Sequence, residues 1–292
     1  MIPDVIGWSS LEHELSERDP SRRVVLTLGV FDGMHLGHVA LLERAYEMAQ
    51  GLHALRVHVG FTPHPDLLLR GVLPRQLLDP SERVARMEQA GVDLYCELPF
   101  DAQMRDTHWS DFLMRLTRVT KAAGIALSPE SAFGARREGT VARVEEWGNV
   151  HGLEVAGVDE VFWGGAAVSS TRIREAVGQG DLQAAHAMLG RPYALIGTRM
   201  GDAFDLSLER TAWCLPPSGQ YEVALQPFER ALHDLEDSLG EVVVVRVDRA
   251  AGFCHLVSAT PRAREAIDGE KVRIPFALDG RAHDCYPRDV SV

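Results

Sequence analysis

Through residues 1–190 short apolar runs alternate with helix-like stretches. The strand candidates are "VVLTLG" (24–29), "ALRVHVGF" (54–61), "VDLYCEL" (92–98), "GIALS" (124–128) and "LEVAGV" (153–158). Between them lie helix candidates at 37–50, 80–91, 109–123 and 141–152. In the second of these, Pro80 and Ser81 supply N-terminal chemistry and Gly91 a stop. The alternation predicts an α/β unit, a parallel sheet with helices on both faces. "STRIREAVGQGDLQAAHAMLG" (170–190) then reads as two short helices separated by "GQGD". After "RPY" (191–193) the pattern changes to turn-separated strands: "YALIGTRM", "GQYEVALQ", "EVVVVRV", "GFCHLVSA" and "EKVRIPFAL". One helical stretch, "PFERALHDLEDSLG" (227–240), interrupts them. The expected boundary lies near residue 190, giving domains over 1–190 and 191–292, the second smaller and mostly β.

Composition narrows the partners. With 292 residues, 46% hydrophobic and 25% charged, the chain is globular and long enough for two cores. A net charge of −12 argues against nucleic-acid binding, yet one local cationic pocket suffices for a small anion. Cys96, Cys214, Cys254 and Cys285 form no C-x-x-C pair, so neither zinc nor a disulfide framework is suggested, and reduced thiols in a cytoplasmic protein are expected. The N-terminus has no signal-peptide pattern, and no apolar stretch is long enough to span a bilayer, so no membrane is expected.

The chemistry concentrates in "LGVFDGMHLGHVALL" (28–42). A strand that ends in glycines and opens a helix gathers free backbone N–H groups at one point, and the helix dipole favours an anion there. Gly29 and Gly33 let the backbone approach closely, and Gly37 does the same in the first helical turn. His35 and His38 are three apart and can face one side of that turn, with ring N–H groups for phosphate oxygens. The pattern suits a polyphosphate. Tight packing alone, part of a metal site and a dinucleotide fold are the competing readings. No third metal ligand has suitable spacing, and the glycines do not follow G-x-G-x-x-G.

"GVFDGMHLGH" resembles the G-x-F-D-x-x-H-x-G-H signature of the nucleotidyltransferase superfamily, in the form used by bacterial FAD synthetases (riboflavin kinase/FMN adenylyltransferase). "FTPHP" (61–65), "FGARREG" (133–139) and "VSSTRIREAVGQGDLQAAHAMLGRPY" (168–193) resemble that family's further motifs in the same order, over about two-thirds of the chain. The resemblance implies a Rossmann-like nucleotidyltransferase domain followed by a riboflavin-kinase-like barrel. It implies ATP and FMN as substrates, Mg²⁺ arriving with the ATP, and no dedicated metal ligands in the protein. By resemblance His35, His38 and Arg174 act on the phosphates, with Gly29, Phe31, Asp32, Gly33, Gly37, Ser169, Ser170 and Thr171 around the ATP. Arg172 holds the motif's variable position and is expected at the surface. Phe61, Pro63, His64, Pro65, Glu130 and Phe133 then belong to the flavin side.

The chain departs from the family in two places. The family's G-[DE]-D-F-R-F-G becomes "SPESAFG" (128–134), which leaves room for another acceptor. The kinase's Pro-Thr-Ala-Asn run is absent; "SLERTAWC" (207–214) stands there, and no asparagine occurs between Gly197 and Val292. The resulting expectation is an FMN adenylyltransferase without riboflavin kinase activity. The alternatives are a bifunctional enzyme, a nucleotidyltransferase with another phosphate acceptor, and a non-catalytic nucleotide- or flavin-binding protein.

Overall fold

The computed structural model describes residues 4–18, 23–200, 203–205, 213–228, 241–258 and 271–276. Most of the helix expected over 227–240, the "SLERT" segment (207–211) and Cys285 lie outside the described residues. The chain forms two compact units. The first comprises Met1–Phe31, Leu36–Pro74 and Val84–Phe162; the second comprises Asp32–His35, Arg75–Arg83 and Trp163–Val292.

The first unit is built on six parallel strands: β1 (Asp4–Ile6), β2 (Val24–Leu28), β3 (Leu55–Thr62), β4 (Leu94–Pro99), β5 (Ala122–Leu127) and β8 (Glu154–Gly157). Two-residue strands β6 (Ala132–Phe133) and β7 (Gly139–Thr140) pair as a separate hairpin. The sheet order is β1-β4-β3-β2-β5-β8, and every neighbouring pair is parallel. From β2 the chain builds outward through β3 and β4, then returns to add β5 and β8 on the other side. The strand order therefore reverses at β2, where open parallel sheets place their ligands beyond the strand carboxyl ends.

Both sheet faces are covered, as the apolar runs predict. Val24 and Leu26 of β2 join Val57, Val59, Leu94 and Ile125 in one core, together with Leu11 of α1 (Trp8–Ser16), Leu113 and Leu116 of α6 (Trp109–Thr120) and Val144 of α7 (Val141–His151). The other face is covered by α2 (Leu36–Leu52), which lies against β2, β3 and β5 and buries Leu41, Leu42, Ala45, Met48 and Ala49. Three further helices, α3 (Pro65–Arg70), α4 (Pro80–Gln89) and α5 (Ala102–Asp106), fill the connections. The sequence pattern missed β1, α1, α3 and α5. Of these, β1, α3 and α5 are too short to show a period, and α1 buries Leu11 alone.

In the second unit, β9 (Phe162–Trp163) and β10 (Ala166–Ala167) lead to α8 (Ser170–Gln179) and α9 (Leu182–Leu189). Six antiparallel strands follow as a closed barrel in the order β11-β12-β15-β14-β13-β16. They are β11 (Tyr193–Met200), β12 (Ala203–Asp205), β13 (Gly219–Pro227), β14 (Glu241–Asp248), β15 (Phe253–Ser258) and β16 (Lys271–Phe276). Pairing of β11 with β16 closes the barrel, from Tyr193 opposite Phe276 to Thr198 opposite Lys271. Closure removes the exposed strand edges of an open sheet. Leu195, Phe204, Tyr221, Val223, Val245, Cys254, Ile274 and Phe276 are among its buried residues.

Candidate active site

The signature stretch leaves β2 in the first unit, contributes Asp32–His35 to the second, and re-enters the first at Leu36. Within the second unit the segment is gripped at almost every residue. The Asp32 carboxylate accepts the Leu77 N–H at 3.0 Å and the Arg174 guanidinium at 2.6 Å. The Asp32 carbonyl accepts the Ser170 hydroxyl at 2.7 Å. Arg191 donates to the Gly33 carbonyl at 2.6 Å and to the Met34 carbonyl at 2.9 Å. Met34 carries a positive φ of 42°, a conformation that side-chain-bearing residues seldom adopt, and these bonds hold it there.

These contacts add to the expected roles of the motif residues. Arg174 was read as a clamp for phosphate; its Nε is bound to the Arg75 carbonyl at 2.7 Å and its Nη2 to Asp32. It therefore fixes the turn as well as contributing positive charge. Ser170 turns its hydroxyl to Asp32, whereas Ser169 alone caps α8 through its side chain, accepting the Arg172 N–H at 3.3 Å. Thr171 is exposed in the first turn of that helix. Arg172 is not idle on the surface: it is half-buried and donates to the carbonyls of Trp163, Ala166 and Ala167, which ties the β9–β10 segment to the start of α8.

His35 is buried, and its pKa is lowered from 6.5 to about 4. Burial is the main cause, followed by the Arg191 charge, with Arg174 adding less. At neutral pH the imidazole is uncharged and donates from one ring nitrogen only. A polyanion beside it would offset the two guanidinium charges and raise its pKa. The Ser169-capped start of α8, two arginines and His35 give this unit the electrostatics of an anion site.

The first unit holds the rest of the signature. Gly29 ends β2, and a Cβ there would meet the Phe31 ring at 2.8 Å. Phe31 was expected at the ATP; its ring is 3% exposed and stacks on His38, with centroids 4.2 Å apart and planes at 15°. Gly37 and His38 lie in the first turn of α2. On the expected flavin side, Phe61 and Phe133 both pack on Phe112, at 6.2 and 5.8 Å between centroids. Pro63 follows a cis peptide bond, Pro65 opens α3, and the His64 side chain caps that helix by accepting the Asp66 N–H at 3.1 Å. Glu130 is exposed in the turn after β5. Sequence patterning assigned no role to His58, Tyr95, Arg191 or Phe112; the contacts of His58 with Thr27, Arg191 with Gly33 and Phe112 with Phe61 join residues far apart in the chain.

Among the described residues, no group of three His, Cys, Asp or Glu stands where it could hold a metal ion. Asp32, the acid in the signature, is committed to Arg174. No helix among the described residues is long and apolar enough to cross a membrane.

Comparison with known proteins gives the same direction as the motifs. The bifunctional riboflavin kinase/FMN adenylyltransferase of Escherichia coli K12 is 31% identical over 190 residues, which covers 63% of this chain and 59% of that relative. The match thus spans less than two thirds of that protein's length. A FAD synthetase of Listeria monocytogenes is 27% identical over 211 residues, 71% of this chain and 84% of the relative. A crystal structure described as a macrolide-efflux protein from Streptococcus pneumoniae superposes with a TM-score of 0.77 at 23% identity, over 98% of this chain and 100% of that one, which establishes a shared fold. The FAD synthetase family model matches residues 17–172, more than half of the sequence and the whole stretch from the glycine turn through the Ser169 cap, so the chain belongs to the FAD synthetase family.

Proposed function

We propose that this protein is an FMN adenylyltransferase that forms FAD and pyrophosphate from FMN and ATP, and that it lacks riboflavin kinase activity. The observation that carries the reading is the Asp32–His35 turn, clamped by Arg174, Ser170 and Arg191 within the same unit as the Ser169-capped start of α8. The nucleophile is an oxygen of the FMN phosphate, which is already ionised at neutral pH. It forms a bond to the α-phosphorus of ATP as the bond to the bridging β-phosphate oxygen breaks. No general base is required, so rate comes from alignment and from stabilising charge on the departing pyrophosphate. His35, His38 and Arg174 are assigned to that charge, and Ser169, Ser170, Thr171 and the glycines to the ATP. Magnesium bound with ATP supplies further charge neutralisation.

We assign the flavin to Phe61, Pro63, His64, Pro65, Glu130 and Phe133, with Phe112 as the ring that supports both phenylalanines. The nucleotidyltransferase domain is assigned to 1–190 and the kinase-like domain to 191–292. Loss of the kinase reaction rests on the missing Pro-Thr-Ala-Asn run. The closed barrel supports the bifunctional alternative, since the scaffold of the second domain is intact. The test is to incubate purified protein with Mg-ATP and either FMN or riboflavin. FAD and pyrophosphate from FMN, with no product from riboflavin, is the expected outcome. FMN or FAD made from riboflavin would establish the bifunctional reading. No FAD from FMN, beside an active control enzyme, would refute the proposal.

A further inference from the structure

His58 is a fully buried histidine that the proposed reaction does not use. It lies on β3 between Val57 and Val59, which face the core under α1, α6 and α7. Alternation along the strand turns His58 to the opposite face, where a valine or leucine would satisfy packing. Its polar atoms are instead placed against specific partners. Nε2 lies 3.1 Å from the Gly29 carbonyl, and Nδ1 lies 2.9 Å from the Thr27 hydroxyl. A carbonyl oxygen only accepts, so Nε2 carries the proton and donates, and Nδ1 accepts from Thr27. The ring is thereby fixed in one tautomer and orientation.

Two aromatic contacts extend this grip. The Tyr95 ring lies parallel to His58 at 5.7 Å, and Tyr95 donates its hydroxyl to Glu97 at 2.6 Å. The Phe31 ring rests on His58 at 4.2 Å and stacks on His38 at the same separation. Thr27, His58, Phe31 and His38 thus form one continuous line of contacts, and His58 also holds the carbonyl of the glycine at which the turn begins.

We infer that His58 is a positioning residue for His38: it locks the Gly29 carbonyl and the Phe31 ring, and so fixes the imidazole we assign to the phosphates. This inference rests on the proposed role of His38. A merely space-filling His58 would give a different result in a double-mutant cycle.

The experiment measures kcat and the KM for ATP in His58→Leu, Thr27→Val and His58→Gln, each with and without His38→Ala. In the wild-type background His58→Leu should lower kcat roughly 10- to 100-fold with KM nearly unchanged, the scale expected for a misplaced catalytic group. Thr27→Val should give a smaller loss of the same kind. His58→Gln, whose amide can still donate to Gly29, should recover part of the rate. With His38 already alanine, none of the three should cause further loss. Equal losses in both backgrounds, or a loss confined to KM, would overturn the inference. A second readout does not depend on turnover. The His38 ring resonances should shift in His58→Leu and stay in place in Leu55→Val, a change on the opposite face of the same strand. Unchanged His38 resonances would also overturn it. An inactive wild-type protein would defeat the adenylyltransferase reading and leave this spectroscopic arm to decide.

Discussion

The low pKa of His35 makes folding stability depend on pH in a calculable way. The imidazole titrates near 6.5 when exposed and at about 4 in the folded protein, because burial and then Arg191 and Arg174 oppose its charge. As pH falls, the unfolded chain takes up this proton first. Stability is therefore greatest above about pH 6.5, declines down to about pH 4, and is independent of this group below that. At about 1.4 kcal/mol per pH unit the whole window amounts to about 3 kcal/mol. His35→Gln removes the titration, and carboxylates that titrate in the same range are common to both proteins. Urea unfolding at about pH 7 and about pH 4.5 should show a stability drop smaller in the variant by roughly 2–3 kcal/mol. Arg191→Met removes the larger of the two guanidinium effects, so it should raise the folded pKa, leave the onset near pH 6.5 in place, end the decline at a higher pH and make the total loss smaller. An equal pH-dependence in wild type and His35→Gln would refute the assignment of a buried, neutral His35.

Three other changes test the frame around the site. Arg174→Ala leaves the Asp32 carboxylate, 10% exposed, without its cationic partner and should cost about 3–5 kcal/mol in urea unfolding at neutral pH. Ser169→Ala removes the side-chain cap of α8 and should cost about 1 kcal/mol in the same assay, with a rise in the KM for ATP. Gly134→Ala places a Cβ at 2.5 Å from the Trp109 Cα on a backbone with φ of 73°, so it should destabilise by several times the roughly 1 kcal/mol typical of a point mutation and weaken flavin binding measured by fluorescence.

What the sequence revealed depends on how far apart the cooperating residues lie in the chain. Largely buried strands appear as apolar runs, and β2, β3, β4 and β5 were expected on that basis; β8, at the sheet edge and mostly exposed, was expected from its short run "LEVAGV". The glycine turn between β2 and α2 was equally legible, because a strand that hands over to a helix through closely spaced glycines is a local pattern. The family resemblance implied a barrel, but its closure was not legible in the strand runs themselves. It depends on β11 meeting β16 some seventy residues later, and strand runs carry no mark of their partners.

The same distinction runs through the site. Arg174 was found through the Ser-Ser-Thr motif, yet its commitment to Asp32, 142 residues away, was not, and that contact makes the residue a support of the turn as well as a positive charge beside it. Phe61 and Phe133 were named separately, but nothing local announced Phe112, the ring on which both rest. His58 shows why. Its histidine in a valine-rich strand is a visible irregularity, but its meaning lies in Thr27 and Gly29 across the strand pair and in Phe31 beyond them. Motifs single out the groups proposed to meet the substrate. The residues that fix their orientation are chosen by the neighbouring strand or helix, and a sequence pattern is silent about neighbours.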